Sequence, residues 1–144
     1  MNPIDLIARA RVAATHAHAP YSRFAVGAAV LLSDGAVVTG ANIENASYGL
    51  SLCAETVAIA TASAQGRLRD VVAIGIVGGA MDGGGDTPVR PCGRCRQVLN
   101  EAAQLGGRDL PIYCAGLTGD ALEEHRLSAL LPHAFGPADL GMGG

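Results

Sequence analysis

Cys53-Ala-Glu55 and, beginning 38 residues after Cys53, Pro91-Cys92-Gly93-Arg94-Cys95 decide how this chain is interpreted. Three thiols can occupy three corners of a zinc tetrahedron and leave the fourth corner for water. A carboxylate two residues after the first thiol is close enough to contact that water without binding the metal. The two motifs therefore predict a zinc site with Cys53, Cys92 and Cys95 as ligands and Glu55 as the group that carries protons.

The sequence around these motifs predicts a helix behind each of them. Apolar spacing favours a helix from Cys53 to Gln65, and Gly66 ends it. A second helix is expected from Gly93 to about Leu105, before two more glycines. Helix N-termini present free N–H groups and a positive dipole end, which favour the thiolate form of cysteine. We therefore expect both helix starts to face one metal ion and to lower the pKa of its ligands.

The remaining elements predict an α/β fold in one domain, residues 1–144. Helix and strand patterns alternate along the chain. Asn2 caps a helix from Pro3 to about Thr15; strands Val26–Leu32 and Ala36–Gly40 flank a Ser33-Asp34-Gly35 turn; a buried strand spans Val71–Val77; the glycine-rich stretch Gly78–Pro91 is turn-like; a strand spans Leu110–Ala115; and a helical turn spans Leu127–Leu131. The closing Gly141–Gly144 is expected to be a frayed tail. This order favours a helix-flanked, mixed sheet.

Composition excludes several functional classes. The net charge is -3, and no run of Lys or Arg is present to neutralise the phosphates of a nucleic-acid polymer. Although 49% of the residues are hydrophobic, no apolar run is long enough to span a bilayer. The N-terminus lacks the pattern of a signal peptide, so we expect a cytoplasmic protein. In that compartment the four cysteines indicate metal ligands or free thiols sooner than disulfides.

Two other interpretations of the cysteines remain open. A structural zinc site would need a fourth protein ligand, and Cys114 is the one sulfur left to provide it. Cys114 lies in an apolar strand pattern, where a buried free thiol is the commoner finding. Alternatively, Cys92 and Cys95 have the spacing of a redox-active pair. Both alternatives leave the carboxylate of Glu55 without a role.

Longer stretches of the chain resemble the cytidine deaminases of the small, homotetrameric type with three cysteine ligands. The matching segments extend over nearly the whole sequence. They are Tyr21-Ser22-x-Phe24-x-Val26-Gly27-Ala28, Gly40-Ala41-Asn42-Ile43-Glu44-Asn45-Ala46-Ser47-Tyr48-Gly49, Cys53-Ala54-Glu55, Pro91-Cys92-Gly93-Arg94-Cys95-Arg96-Gln97 and Leu130-Leu131-Pro132-x-x-Phe135-Gly136. The stretch from Asn42 to Glu55 is the most specific of them.

This resemblance implies a fold, a reaction and an assembly. The fold is a three-layer α/β/α sandwich with a mixed five-stranded sheet. The reaction is hydrolytic, zinc-dependent deamination of cytidine and deoxycytidine, which gives the uracil nucleosides and ammonia. The substrates are a small nucleoside and water, with no polymeric nucleic acid and no membrane. The assembly is a homotetramer.

The resemblance also implies roles for particular residues. Cys53, Cys92 and Cys95 bind zinc, and Glu55 is the acid and base. The expected substrate contacts involve residues from several loops: Phe24 against the pyrimidine ring, Asn42 and Glu44 on the ribose hydroxyls, the backbone of Ala54 at the base edge, Ala46 and Tyr48 near the ribose 5′ side, and Phe135 in the site of an adjacent subunit.

One position departs from the pattern of the family. Many relatives have Arg directly after the catalytic Glu, where it offsets the charge of the thiolates, and this chain has Thr56. Arg94 or Arg96 could compensate. Other functions on the same scaffold stay open, namely a blasticidin-type or other nucleoside deaminase and a catalytically silent zinc protein.

Overall fold

A five-stranded mixed sheet forms the centre of the molecule. The computed structural model describes residues 1–142. The strands are β1 (Phe24–Leu32), β2 (Val37–Ala41), β3 (Val71–Ala80), β4 (Pro111–Gly116) and β5 (Leu122–Arg126), and the helices are α1 (Pro3–Ala14), α2 (Ala54–Ala64), α3 (Gly93–Gly106) and α4 (Leu127–Leu130). Their order across the sheet is β2-β1-β3-β4-β5. Only β3 and β4 are parallel, and α3 connects them, as expected for a crossover.

The helices cover the two faces of the sheet unequally. On one face, Leu6, Ile7 and Ala10 of α1 pack against Ala29 and Val77. On the other face, α2 and α3 lie side by side over the larger core. This core takes its side chains from four strands and three helices, among them Ala58, Ile59, Leu99, Val30, Ile74 and Ile112. The three-layer α/β/α sandwich expected from the family resemblance is therefore confirmed.

Most of the predicted elements form within one to three residues of their expected bounds. Asn2 caps α1, and its Oδ1 accepts a hydrogen bond from the N–H of Asp5 at 2.9 Å. The hairpin turn between β1 and β2 contains Gly35 with a φ of 91°, a value that favours glycine. Gly107 ends α3 in the left-handed conformation.

The glycine-rich stretch after Val77 was wrongly expected to be turn-like from its first residue. Strand β3 continues through Gly78 and Gly79 to Ala80 and pairs with β1 up to Phe24. A Cβ atom on Gly78 would lie 3.2 Å from Val89 and 3.3 Å from the ring of Phe24. A side chain here would require Val89 and the Phe24 ring to shift by a few tenths of an ångström, so glycine favours close packing at this position. The same glycine content, taken as local propensity, predicts a turn.

Strand β5 has no counterpart among the elements predicted from local pattern. Its residues are half-buried or exposed, and they include Glu123, Glu124 and His125. Because neither face of this edge strand is fully buried, its sequence lacks the alternation of apolar and polar residues that predicts a strand. At the C-terminus, Met142 N–H donates to the carbonyl of Pro137 at 2.9 Å, so the first half of the predicted tail closes a turn. Positions 143 and 144 lie outside the described residues.

Close approach of α2 to the sheet positions the start of that helix. A Cβ atom on Gly40 of β2 would lie 2.6 Å from the carbonyl oxygen of Ala54 and 2.6 Å from the N–H nitrogen of Ala58. Only glycine lets the helix backbone rest directly on the strand at this point. Within residues 1–142, no helix has the length and apolar character that crossing a bilayer requires.

Candidate active site

Three sulfur atoms meet where α2 and α3 begin. Cys53 is the N-cap residue of α2, Cys92 is the N-cap residue of α3, and Cys95 lies in the first turn of α3. Their Sγ atoms all lie within 4.8 Å of one another, and those of Cys53 and Cys92 are 3.8 Å apart. Zinc–sulfur bonds of about 2.3 Å in a tetrahedron separate two sulfurs by about 3.8 Å. The three thiols therefore fit a zinc ion.

The fourth cysteine does not join this group. Cys114 is buried in β4, and burial raises the pKa of its thiol to about 12. A structural site would use four protein ligands, whereas a catalytic site keeps one position open. With Cys114 in the core of the sheet, the cluster has the three-ligand composition of a catalytic site.

Burial and hydrogen bonding act on the thiols in opposite directions. Burial raises the pKa of Cys53 and of Cys95. Burial also acts on Cys92, but hydrogen bonds from the backbone and side chain of Cys95 outweigh it, and the pKa of Cys92 is lowered. The pKa is thus lowered at Cys92, as expected at a helix start, whereas at Cys53 and Cys95 burial outweighs the contributions that lower it. A bound divalent cation favours the thiolate at all three positions.

Glu55 lies one residue inside α2, directly beside the sulfurs. Its side chain is only 4% exposed, and burial raises the pKa of its carboxyl group. A carboxyl group with a raised pKa exchanges protons more readily near neutral pH than an ordinary glutamate does. The chain thus places a buried carboxyl group with a raised pKa next to three thiols that could hold a metal ion.

A cavity of about 280 Å³ opens over Cys53, Glu55 and Cys92. Its other lining residues come from the segments before α2 and α3 and from β1: Val26, Asn42, Glu44, Ser51, Leu52, Val89 and Arg90. A larger cavity of about 480 Å³ lies between α3 and α4, but none of the sulfurs borders it. The position of the thiols and of Glu55 therefore identifies the smaller cavity as the candidate site.

Asn42 lines the cavity and makes hydrogen bonds to the start of β1. Its Oδ1 accepts from the N–H of Val26 at 2.9 Å, and its Nδ2 donates to the carbonyl of Phe24 at 2.9 Å. A carboxamide has two acceptor and two donor positions, so one of each remains for a ligand. Asn42 therefore holds the first residues of β1 in place, and it keeps one donor and one acceptor position for a ligand in the cavity.

Glu44 holds the turn that precedes Phe24. Its Oε1 accepts from the N–H groups of Tyr21 at 2.9 Å and Ser22 at 3.1 Å, and its Oε2 accepts from the hydroxyl of Ser22. The Ser22 hydroxyl, the Ser22 amide and the Tyr21 amide lower the pKa of this carboxyl group, so it stays charged. The carboxylate has about four lone-pair positions, and these three contacts leave room for one more.

The other predicted site residues lie at different distances from the cavity. Ala54 is fully buried at the start of α2, next to Cys53. Phe24 is 40% exposed at the start of β1 and is not among the residues that line the cavity. Ala46 and Tyr48 lie in an exposed loop, where the Tyr48 ring is 5.5 Å from that of Tyr21. This chain does not bring either of them into the cavity beside the sulfurs.

Phe135 lies alongside α3 and is 62% exposed. Its carbonyl accepts hydrogen bonds from the side-chain amides of Gln97 at 2.8 Å and Asn100 at 3.1 Å. The backbone is therefore fixed to α3, while the ring is left in solvent. Phe135 does not line the cavity of its own chain.

Sequence reasoning missed Arg90 and Ser22, which the structure places at the site. Arg90 lines the cavity and makes two hydrogen bonds to Glu123 of β5, at 2.9 and 2.8 Å. Nothing local in the sequence could have revealed this pair, because it depends on the unpredicted strand β5. The hydroxyl of Ser22 belongs to the quoted Tyr21-Ser22-x-Phe24 segment, which was a signal for it.

At the position that departs from the family, Thr56 Oγ1 lies 3.5 Å from Cys95 Sγ. Neither nearby arginine makes a hydrogen bond to a sulfur: Arg94 donates to the carbonyl of Ser51, and Arg96 donates to those of Pro91 and Leu130. Within α2, the hydroxyl of Thr56 and the carboxyl group of Glu55 are polar groups next to Cys95.

Known proteins are similar to this chain in both sequence and fold. Residues 2–105 match the family described as the cytidine and deoxycytidylate deaminase zinc-binding region. The cytidine deaminase of Halalkalibacterium halodurans is 50% identical over 137 residues, 94% of this chain and 95% of the relative. The cytidine deaminase of Mycobacterium tuberculosis is 48% identical over 128 residues, 89% of this chain and 85% of the relative.

Solved structures agree with these sequence matches. The crystal structure of cytidine deaminase from Burkholderia pseudomallei has a TM-score of 0.82 at 42% identity, covering 94% of this chain and 100% of that one. The cytidine deaminase structure from Mycobacterium tuberculosis has a TM-score of 0.75 at 42% identity, covering 94% and 98%. Because the matched residues include both helix starts that carry the sulfurs, this chain belongs to the cytidine and deoxycytidylate deaminase family.

Proposed function

We propose that this protein is a zinc-dependent cytidine deaminase, which hydrolyses cytidine and deoxycytidine to uridine and deoxyuridine with release of ammonia. The observation that carries the proposal is the buried carboxylate of Glu55 beside three sulfur atoms with the spacing of zinc ligands. The relatives named cytidine deaminase and the zinc-binding family description support it. The reaction needs reduced thiols, which the cytoplasm maintains.

Glu55 moves the protons of this reaction. When bound, zinc supplies the Lewis acidity that makes water a nucleophile at neutral pH. The carboxylate of Glu55 receives the proton from the attacking water and delivers it to N3 of the pyrimidine ring. The same carboxylate then takes the proton of the new hydroxyl group at C4 and passes it to the amino group. The C4–N bond breaks, ammonia leaves, C4 becomes a carbonyl, and Glu55 returns to its starting form. The raised pKa of Glu55 suits both receiving and giving this proton.

Residues around the cavity hold the base and the sugar of the nucleoside for this reaction. Phe24 packs against the pyrimidine ring, and the backbone of Ala54 meets the base edge. Asn42 and Glu44 bind the ribose hydroxyls through the donor and acceptor positions that their contacts with β1 and the Tyr21–Ser22 turn leave available. A site with such groups discriminates strongly against a substrate that leaves them unpaired.

The activity is tested by measuring ammonia release from cytidine, deoxycytidine, cytosine, adenosine and blasticidin by the purified, zinc-replete protein. We expect turnover of the first two and far lower kcat/KM for free cytosine. Preference for blasticidin would assign the site to a different amidine substrate. No ammonia from any of the five would leave a zinc protein without this activity and would refute the proposal.

We also propose that the active form is a homotetramer, in which neighbouring chains supply Ala46, Tyr48 and Phe135 to the site. Large apolar side chains are exposed around the loop that follows β2 and near the C-terminus, among them Ile43, Tyr48, Leu50 and Phe135. Exposed apolar surface of this kind commonly marks an interface, and closed symmetry favours pairs of two-fold contacts.

Light scattering at assay concentration tests the assembly and should give the mass of four chains. The Phe135→Ala variant should bind zinc normally and have lower kcat/KM for cytidine, because the ring is absent from the neighbouring site. A fully active monomer, or an unchanged Phe135→Ala enzyme, would make Phe135 a simple surface residue.

A further inference from the structure

The turn before β1 contains a backbone conformation that needs support. Arg23 has a φ of 59°, in the left-handed region that residues with a side chain rarely adopt. Its N–H donates to the carbonyl of Ala19 at 3.0 Å, and its carbonyl accepts from the N–H of Met81 at 2.8 Å. Arg23 stands between Ser22 and Phe24, so the turn that sets the position of the Phe24 ring passes through this residue.

One hydroxyl group connects this turn to the carboxylate in the cavity. Ser22 Oγ donates to Oε2 of Glu44 and accepts from the N–H of Phe24 at 3.1 Å. The backbone N–H groups of Tyr21 and Ser22 donate to the other oxygen, Oε1. Both oxygens of Glu44 are thereby fixed, and Ser22 Oγ is the side-chain donor that fixes the second one.

We infer that Ser22 is a positioning residue for substrate recognition, which holds Glu44 in the orientation that accepts a hydroxyl group of the sugar. Glutamate has several rotatable bonds, and an unrestrained carboxylate at a cavity mouth would lose rotamer entropy each time it bound a ligand. The hydrogen bond from the Ser22 hydroxyl restricts the Glu44 side chain before the ligand binds, so less rotamer entropy is lost on binding, as in a preorganised site. The inference rests on the proposed function and adds a residue that acts through Glu44.

The sugar hydroxyls provide a way to separate positioning from general stability. Cytidine has hydroxyls at the 2′ and 3′ positions, whereas 2′,3′-dideoxycytidine has the same base and ring without them. If Ser22 acts through Glu44, its removal matters only for the substrate that has the hydroxyls. A loss of packing or of the Phe24 position would lower the turnover of both substrates equally.

The experiment compares Ser22→Ala, Ser22→Thr and the control Ser63→Ala, an exposed serine at the end of α2. For Ser22→Ala we expect kcat/KM for cytidine to fall about fivefold, mainly through KM, as for one net hydrogen bond. Its kcat/KM for dideoxycytidine should change by no more than about twofold, which is less than one such bond. Ser22→Thr retains a hydroxyl and should restore cytidine turnover, and Ser63→Ala should equal the unaltered protein.

Equal losses for both substrates, or no loss for cytidine, would overturn the inference. A crystal structure of Ser22→Ala gives a second and independent result: the Glu44 carboxylate should leave its present orientation, and an unmoved carboxylate would contradict the proposal. If the unaltered protein releases no ammonia from cytidine, the proposed function fails by itself, and the crystal structure alone then decides the role of Ser22.

Discussion

The site consists of two regions that are built differently. We call them the thiolate floor, made of Cys53, Glu55, Cys92 and Cys95, and the substrate rim, made of the predicted substrate contacts Phe24, Asn42 and Glu44. The floor lies at two helix starts that the core holds in place, and Glu55 is 4% exposed there. The rim lies at a strand end and in the segment after β2, where Phe24 is 40% exposed.

This difference predicts two kinds of failure. Floor residues depend on packing, and substitutions there should remove the metal or the chemistry outright. Rim residues depend on hydrogen bonds to backbone groups, such as those of Asn42 to Phe24 and Val26. Substitutions in the rim should therefore weaken binding by the small amounts that single hydrogen bonds contribute.

The largest effect should come from a ligand of the floor. Cys95→Ala removes one of three sulfurs, so we expect loss of zinc, of activity and of the stabilisation that bound metal provides, about 2.7 kcal/mol at a free zinc concentration of 100 times the Kd. Metal analysis should find about one zinc per chain before the substitution and none after it. Cys114→Ala is the control, and it should keep both zinc and activity. Loss of zinc in the control alone would reverse the ligand assignment.

Glu55→Gln should separate chemistry from metal binding within the floor. The amide has the same shape as the carboxyl group but cannot carry a proton, so kcat should fall by at least roughly 10²–10⁴-fold. Zinc content and thermal unfolding should stay close to those of the unaltered protein. Near-normal turnover in a zinc-replete variant would show that another group moves the protons.

Asn42→Ala tests whether substitutions in the rim leave metal binding in the floor unchanged. The N–H of Val26 and the carbonyl of Phe24 would lose their partners, which costs about 1–2 kcal/mol of stability for two net hydrogen bonds. KM for cytidine should rise while zinc content stays constant. Chemical denaturation and metal analysis measure the two quantities, and loss of zinc here would mean that rim and floor form one unit.

Thr56→Val should have the smallest effect on kcat, although the side chain of Thr56 lies next to a sulfur of the floor. The substitution keeps the shape of the side chain and removes the hydroxyl that lies 3.5 Å from Cys95 Sγ. Groups that hydrogen-bond to a metal ligand typically alter metal affinity by at least about tenfold. Competition with a chelator should show faster zinc loss at nearly constant kcat. Unchanged competition would mean that the thiolate needs no partner at this position.

Local sequence determined most of the floor and of the elements that carry it. Cys92 and Cys95 share one helical turn, and Glu55 follows Cys53 by two residues, so their relative positions follow from helix geometry alone. The helix starts, the β1–β2 hairpin and the buried strand β3 could be predicted because each depends on its own residues. The roles of Phe24, Asn42, Glu44, Ala46, Tyr48 and Phe135 came from family resemblance and stay predictions.

Tertiary structure determined the distances and contacts between residues that are far apart in the sequence. The 3.8 Å separation of Cys53 and Cys92 depends on α2 packing beside α3, and α2 reaches its position because Gly40 allows its backbone onto the sheet. The contact of Ser22 with Glu44 and that of Arg90 with Glu123 join segments more than 20 residues apart. Such distances are set by packing and by hydrogen bonds that form only once the chain has folded, whereas helix starts and turns are set by neighbouring residues.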